Sequence, residues 1–280
     1  MAVPRSPSVE VLVPTADRPS ELAVTLSGLA AQGATPFDVL VSDQSLGEEA
    51  GWDPVVQAMV RVLEAQGRRV RILRHLPRRG LAEQRAFLLE RSDADAVLFL
   101  DDDVWLAPGA VATLARALEE LGCGLVGMAP QGLSFSGDVR PQEQAPFEPW
   151  TGPVEPETVR PGTRAFGRWT LHNAANLVHI AEDLRITDGD WLAYRIAWVG
   201  ACVLYRRDAL VAVGGFDFWP LLPQDHAGED VVAQWRVMER FGGAGLLPSG
   251  AVHLETPTTI PRRDVDAVRA VLGPQPEPVR

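Results

Sequence analysis

Apolar residues follow two rhythms in the first half of the chain. Residues 9–14 (VEVLVP), 37–43 (FDVLVSD), 69–73 (RVRIL), 96–100 (AVLFL) and 124–129 (GLVGMA) are short, near-continuous apolar runs. Such runs predict strands buried on both faces. Between them the spacing changes to that of helices. After Ser20, a candidate cap, Leu22, Leu26 and Leu29 recur at helical intervals, and Gly33 can end the helix. Trp52, Val55, Val56, Met59, Val62 and Leu63 trace a second apolar face, closed by Gly67. LAEQRAFLLER follows Gly80, and a fourth helix runs from a first turn at Pro108 to Gly122. Repeated strand–helix–strand units predict an α/β fold with a mostly parallel central sheet flanked by helices. Ligands of such sheets bind at the carboxyl ends of the strands. Asp43, Asp101 to Asp103 and the turn from Thr15 to Asp17 fall at such ends.

The rhythm breaks over residues 132–168, which hold six prolines and no clear period. Long excursions of this kind are often functional, and a mobile lid that closes over substrate is expected here. RIAWVGACVLYRR, from Arg195, reads as another buried strand, and GEDVVAQWRVMERFGG as a helix ending at Gly242. GLLP and AVHLE read as short strands, and GPQPEPVR as a disordered tail. The expected organisation is one domain over residues 1–260, with a nucleotide-binding half (1–130), a variable loop region (131–194) and an acceptor and catalytic half (195–260). A C-terminal helix and tail occupy 261–280.

Composition narrows the class. Of 280 residues, 46% are hydrophobic and 22% charged, as in ordinary soluble domains. No apolar run approaches the ~20 residues of a membrane span, and the first residues lack a signal-peptide apolar region. The expected location is the cytoplasm, free or peripheral to the membrane. Cys123 and Cys202 lie in apolar surroundings and are expected to be reduced core thiols. A net charge of −11 argues against nucleic acid as a partner, because phosphate affinity needs clustered cations. There is no lysine; every permanent side-chain cation is an arginine.

VLFLDDDVWLAPG raises the chemical question. Three adjacent carboxylates follow a buried strand and precede Trp105 and Leu106. Carboxylates so close raise one another's pKa unless a cation neutralises them. Hard divalent ions such as Mn2+ and Mg2+ take oxygen ligands and bridge to phosphates. The cluster therefore points to a metal facing a phosphorylated ligand.

VEVLVPTADRP, FDVLVSDQS, RRGLAEQRAFLLE, AVLFLDDDVWLAPGAV, RRDALVAVGGFDF and GEDVVAQWRVMERFGG occur in this order. Together they resemble the family 2 glycosyltransferases, which have a GT-A nucleotide-sugar-binding fold. The resemblance implies an inverting transfer of a sugar from a nucleoside diphosphate to an acceptor hydroxyl, with Mn2+ or Mg2+. It implies nucleotide contacts from the turn of Pro14, Thr15, Asp17 and Arg18, and from Asp43, Gly80, Arg85, Asp101 and Asp102. At Asp43 a carboxylate acceptor would suit the imide N–H of uracil or thymine, and so a UDP- or dTDP-linked donor. It further implies metal ligation by Asp103, with Asp101 and His253, and a donor and acceptor loop at Gly214, Gly215 and Asp217. The acidic pair Glu229 and Asp230 would supply the base, Asp230 facing the acceptor and Glu229 anchoring it. Here Ala16, Asp17, Gln84 and Ala86 replace the aromatic, Asn, Ala and Asn usual in the family pattern. His226 reads as a loop residue, and Trp150, Trp169 and Trp219 suit either sugar stacking or packing. Two other functions compete: a sugar-phosphate nucleotidyltransferase and a non-catalytic nucleotide-sugar-binding module. The first needs a Gly-rich basic loop near the N-terminus, and the second would lose the acids. VPTADRPSE supplies no such loop, and all the acids are present.

Overall fold

The computed structural model describes residues 7–47, 50–186, 189–258 and 265–273. The first half alternates as the apolar runs predict: β1 (Val9–Thr15), α1 (Pro19–Ala30), β2 (Asp38–Asp43), α2 (Pro54–Ala65), β3 (Val70–Arg74), α3 (Leu81–Glu90) and β4 (Ala96–Leu100). Then come β5 (Val104–Leu106), α4 (Ala110–Leu121), β6 (Leu125–Gly127), α5 (Pro141–Gln144), α6 (Asn176–Asp183), β7 (Leu192–Tyr194), β8 (Cys202–Arg206) and α7 (Arg207–Ala212). The chain closes with β9 (His226–Ala227), α8 (Glu229–Phe241), β10 (Gly243–Leu247), β11 (Ala251–His253), β12 (Val265–Asp266) and α9 (Ala267–Leu272).

Eight strands form one sheet in the order β3-β2-β1-β4-β8-β6-β10-β7. β1, β2, β3 and β4 are parallel, as are β6 and β10; β8 runs antiparallel between β4 and β6, and β7 is antiparallel to β10. Alternate residues of each strand feed two cores. Val11, Val13, Leu98 and Leu100 meet α1, α2 and α4 on one face. Leu12, Val97, Phe99 and Tyr205 meet α3, α7 and α8 on the other. Burial on both sides explains why these strands read as unbroken apolar runs. Cys123 and Cys202 are both buried in these cores, and burial pushes their thiols up. No helix among the described residues is long and apolar enough to cross a membrane.

Local details depart from the pattern. Ser20 does not cap α1: the helix starts at Pro19, whose fixed φ and missing N–H suit a first turn. In α2 the cap is Asp53, which accepts from the Val55 N–H at 2.8 Å. The buried stripe there is Val56, Val60 and Leu63, while Trp52, Val55 and Val62 are exposed. Two apolar stripes overlap on that helix, and the sheet takes only one. The segment from Arg195 is a strand only from Cys202. Upstream, Gln234 holds both the N–H and the C=O of Val199 at 2.7 Å, and the Trp235 indole donates to the Ala197 carbonyl at 2.9 Å. Side chains of α8 thus replace the strand partner.

Residues 132–168 form no lid over the strand ends. Their first part packs on α6 and the stretch after β11, where Ser134 donates to Glu255, and residues 148–157 run as a strap along β7 and α8: Trp150 N–H donates to Ala193, Arg195 N–H to Glu148, and Glu157 N–H to Met238. Arg168 is buried, with Glu157 at 2.6 Å and Glu148 at 3.5 Å. The Arg195 guanidinium lies 3.6 Å over the Trp150 ring, so that indole packs in the strap. Prolines suit such a path because it needs few ladder N–H donors. At the other end, the helix expected beyond residue 260 is α9. It packs on α8 with Ala267 fully buried, while β12 pairs in parallel with β9, so both belong to the same core. The expected tail beyond Gly273 lies outside the described residues.

The strap makes a prediction. Arg168→Ala leaves Glu157 without its buried partner and should cost about 2–3 kcal/mol in urea unfolding. Limited proteolysis of the variant should cut within residues 145–165 whether or not a nucleotide is present. Protection by nucleotide would restore the lid.

Candidate active site

A cavity of about 520 Å³ opens at the carboxyl ends of β1 and β4. Its floor is the aspartate turn. β4 ends at Leu100 and β5 starts at Val104, so Asp101 to Asp103 are held between two strands. Asp101 N–H donates to Ala201 at 2.9 Å, Thr25 Oγ1 to the Asp102 carbonyl at 2.8 Å, and Leu254 N–H to the Asp103 carbonyl at 2.9 Å. β11 pairs with β5 and sets His253 opposite Val104, beside the turn.

Each carboxylate already has a cation near it. Arg18 Nη1 lies 2.9 Å from Asp102 Oδ1, and its Nη2 lies 3.0 Å from Asp103 Oδ2. The same guanidinium reaches Thr256 Oγ1 and the Pro257 carbonyl. Thr15 Oγ1 donates to the other oxygen of Asp102 at 2.7 Å. Burial pushes Asp102 up to about 7, against the opposing pull of Arg18 and Thr15. Arg85, buried on α3, donates from Nη2 to Asp101 at 2.7 Å and from Nε to Glu229 at 3.2 Å. Burial alone would lower its pKa; Asp101 and Glu229 raise it above the ordinary arginine value.

Glu229 and Asp230 begin α8 after Gly228, whose φ of 83° is left-handed. Glu229 is held by Arg85. Burial raises the pKa of both acids, and for Asp230, pushed up to about 7, the neighbouring Glu229 charge adds to it. His226 fixes the approach to this helix: its Nδ1 donates to Pro223 at 2.7 Å, and its Nε2 accepts the Ala82 N–H at 3.1 Å. Both ring nitrogens are committed, so His226 is a neutral structural residue, its pKa lowered by burial. Gly80 is explained by the same contact. With φ of 100°, a Cβ there would stand 2.6 Å from the His226 ring.

Pro14, Thr15, Arg85, Asp101, Asp102, Asp103, Glu229, Asp230 and His253 all line the cavity. The remaining expected site residues do not. Asp43 is fully buried; its Oδ1 accepts from Ser45 N–H and Oγ, and its Oδ2 from Gly51 N–H at 3.1 Å. These bonds sequester the acceptor on which uracil or thymine recognition was argued. Asp17, at φ 58°, accepts from Leu46 N–H and pairs with Arg78, ordering its own turn. Gly80 packs against His226 instead of facing the cavity. Gly214, Gly215 and Asp217 end α7: Gly215 N–H returns to Leu210, and Asp217 pairs with Arg236 at 2.7 Å. Trp219 lies under Arg79, and Trp169, just past residues 132–168, is exposed. The sequence places Arg18 in the nucleotide turn but does not show its pairing with Asp102 and Asp103, and it singles out no role for Gln84 or Thr256. Gln84 donates to the Thr15 and Ser42 carbonyls at 3.1 and 2.8 Å, clamping β1 to β2 beside the cavity. The signal for Arg18 was the charge of the triplet itself, which requires a cation in the facing turn.

The residues suit a divalent ion by donor type, since carboxylate oxygens are hard ligands. Among the described residues, however, no three His, Cys, Asp or Glu side chains converge on one point. His253 is poorly set to add a ligand. Its Nδ1 accepts the Glu255 N–H at 2.8 Å, so the neutral ring carries its proton on Nε2, which faces Asp103 at 3.6 Å. The donor set therefore fits an ion held by one or two carboxylates and by oxygens of a phosphorylated ligand, the usual mode of Mg2+.

A strand-end cavity floored by acids and facing an acidic helix start matches one family. The family model described as glycosyl transferase family 2 matches residues 10–176. The chain belongs to this family. Solved structures agree on the GT-A fold. The mannosyltransferase PcManGT from Pyrobaculum calidifontis, in complex with GDP-Man and Mn2+, is 17% identical with a TM-score of 0.55. The alignment covers 92% of this chain and 59% of that one. S. aureus TarS residues 1–349, in complex with UDP-GlcNAc, is 16% identical with a TM-score of 0.57, covering 90% of this chain and 60% of that one. This family 2 chain thus spans about three-fifths of the length of these structures. No curated protein sequence matches it.

The acid pair predicts a pH effect. Asp230 is pushed up to about 7 in the fold, above an ordinary unfolded value of about 3.9. Between these values the native state binds more protons, so this group's contribution to stability is lost as pH rises towards 7. Asp230→Asn escapes that loss. Its melting temperature should exceed that of the parent at pH 8, with the gap closing towards pH 4. A constant gap across that range would remove the strain assigned to Asp230.

Proposed function

We propose that this family 2 chain transfers a sugar from a nucleoside diphosphate to an acceptor hydroxyl, with inversion and with a divalent metal. The observation that carries this reading is the division of labour around Arg85. That guanidinium holds both Asp101 and Glu229, and Asp230 faces the cavity with a raised pKa. A carboxylate with pKa near the working pH is suited to accept a proton in the transition state.

In this reading the acceptor oxygen attacks the anomeric carbon while Asp230 takes its proton. The bond from that carbon to the diphosphate oxygen breaks, and the electron pair leaves with the diphosphate. A single displacement inverts the configuration. Asp103, with Asp101 beside it, would hold a divalent cation, Mn2+ or Mg2+, whose chemistry there would be neutralisation of the leaving charge. Thr15 fixes Asp102 on the nucleotide side of the cavity. Adjacent helical residues point about 100° apart, so Glu229, turned to Arg85, positions the start of α8 while Asp230 meets the acceptor.

A panel of UDP-, dTDP- and GDP-linked sugars, each with and without Mn2+, tests the reading by thermal shift, since a ligand of the native state must raise its stability. The same panel decides whether the base is uracil, thymine or guanine. No stabilisation by any nucleotide sugar would sink the proposal. With a working donor and acceptor, Asp230→Asn should lower kcat by about 10²–10⁴-fold with little change in donor affinity. Near-normal turnover in that variant would place the base elsewhere. Turnover of the parent enzyme should fall as pH drops below about 7, because protonated Asp230 cannot accept the proton. A flat profile between pH 5.5 and 8 would contradict this role.

A further inference from the structure

The aspartate triplet is closed by a cation that belongs to the chain. The Arg18 side chain is about one-tenth exposed, and its two terminal nitrogens engage Asp102 at 2.9 Å and Asp103 at 3.0 Å. Both oxygens of Asp102 are thereby used, one by Arg18 and one by Thr15. Arg18 also binds Thr256 and Pro257, tying the stretch after β11 to the acids. Thr256 and Arg18 both line the cavity where a phosphorylated ligand would sit. Arg18 meets Asp103 through Oδ2 alone, but a divalent ion on the neighbouring oxygen would stand within a few ångströms of the guanidinium, and like charges that close repel in a partly buried site. The guanidinium is equally suited to phosphate oxygens, which it can grip with the same fork.

We propose that Arg18 is a resident counter-cation: it neutralises Asp102 and Asp103 until a nucleoside diphosphate draws the guanidinium off the carboxylates, and a divalent metal enters only then. The inference rests on the metal-dependent reading above and adds an order to it. Metal and nucleotide then bind as one cooperative unit, and by reciprocity each tightens the other. Release of Arg18 also frees Thr256 and Pro257 from the acid cluster, so ligand entry loosens one wall of the cavity as it fills the floor.

The test is Mn2+ binding to the purified chain, read from the paramagnetic resonance signal of the free ion, alone and with UDP or GDP as probe. The parent should bind Mn2+ weakly alone and at least about tenfold more tightly with a nucleoside diphosphate. Arg18→Gln should bind Mn2+ without nucleotide at least about tenfold more tightly than the parent, whereas Arg18→Lys, which keeps the charge, should not. Thr256→Val removes one anchor of Arg18 and should shift Mn2+ affinity in the same direction by less. It gives a second reading should Arg18→Gln fold poorly. Equal affinity of parent, Arg18→Gln and Thr256→Val for Mn2+ alone would overturn the proposal; if nucleotide still tightens Mn2+ binding in the parent, the metal-dependent reading survives that result. Absence of Mn2+ binding in every variant, with nucleotide present, would overturn both.

Discussion

Five carboxylates share one cavity, and the arrangement depends on Arg85. A half-buried acid from the end of β4 and a buried one from the start of α8 both point at a guanidinium on α3. A buried ion pair adds little net stability against an apolar alternative, but removing one member leaves an uncompensated charge that costs several kcal/mol. Arg85 therefore acts as a condition for the two acid motifs to lie together. It also explains the odd character of α3, whose inward residues are Ala82, Gln84, Arg85, Leu88 and Leu89. Part of that face meets the core and part meets the site, so the helix cannot be uniformly apolar on one side.

Much of this was legible in the residues. Double burial makes the strands β1 to β4 continuous apolar runs, and the carboxylates after β4 announce a charged site. The start of α8 was equally plain, because Gly228 and two acids are what a helix N-terminus favours. What escaped notice involved contacts between distant segments. Asp43 stands at a strand end like a ligand contact, yet its oxygens serve Ser45 and Gly51 in its own loop. The glycines at 214 and 215 could line a substrate loop or end a helix, and here they end α7. No local signal separates those outcomes. Residues 132–168 looked like a lid because prolines erase periodicity. Only the fold shows that backbone bonds from Trp150, Glu148 and Glu157 bind them to β7, at the far edge of the sheet, and to α8.

The second half departs from a simple parallel arrangement for a physical reason. β8 enters between β4 and β6 in the opposite direction, so its first residues, not its last, lie at the carboxyl end of β4. Gly200 and Ala201, the latter at φ 57°, thereby reach the cavity beside Asp101. The short sheet of β5 and β11 then grips the acid turn from its other side. The carboxylates are held by strands before and after them, which fixes their spacing ahead of any ligand, as preorganised electrostatic sites require.

The absence of lysine has a consequence beyond composition. Each permanent side-chain cation that meets these acids, Arg18 and Arg85 above all, is a guanidinium that holds its proton throughout the range in which proteins stay folded. The positive side of the site is thus constant, and changes in its proton inventory fall to groups other than these cations. A titration of the cavity would then report the acids without interference from an amine, and a shift in the working pH would have to be made by changing an acid or its burial, not by exchanging one cation for another.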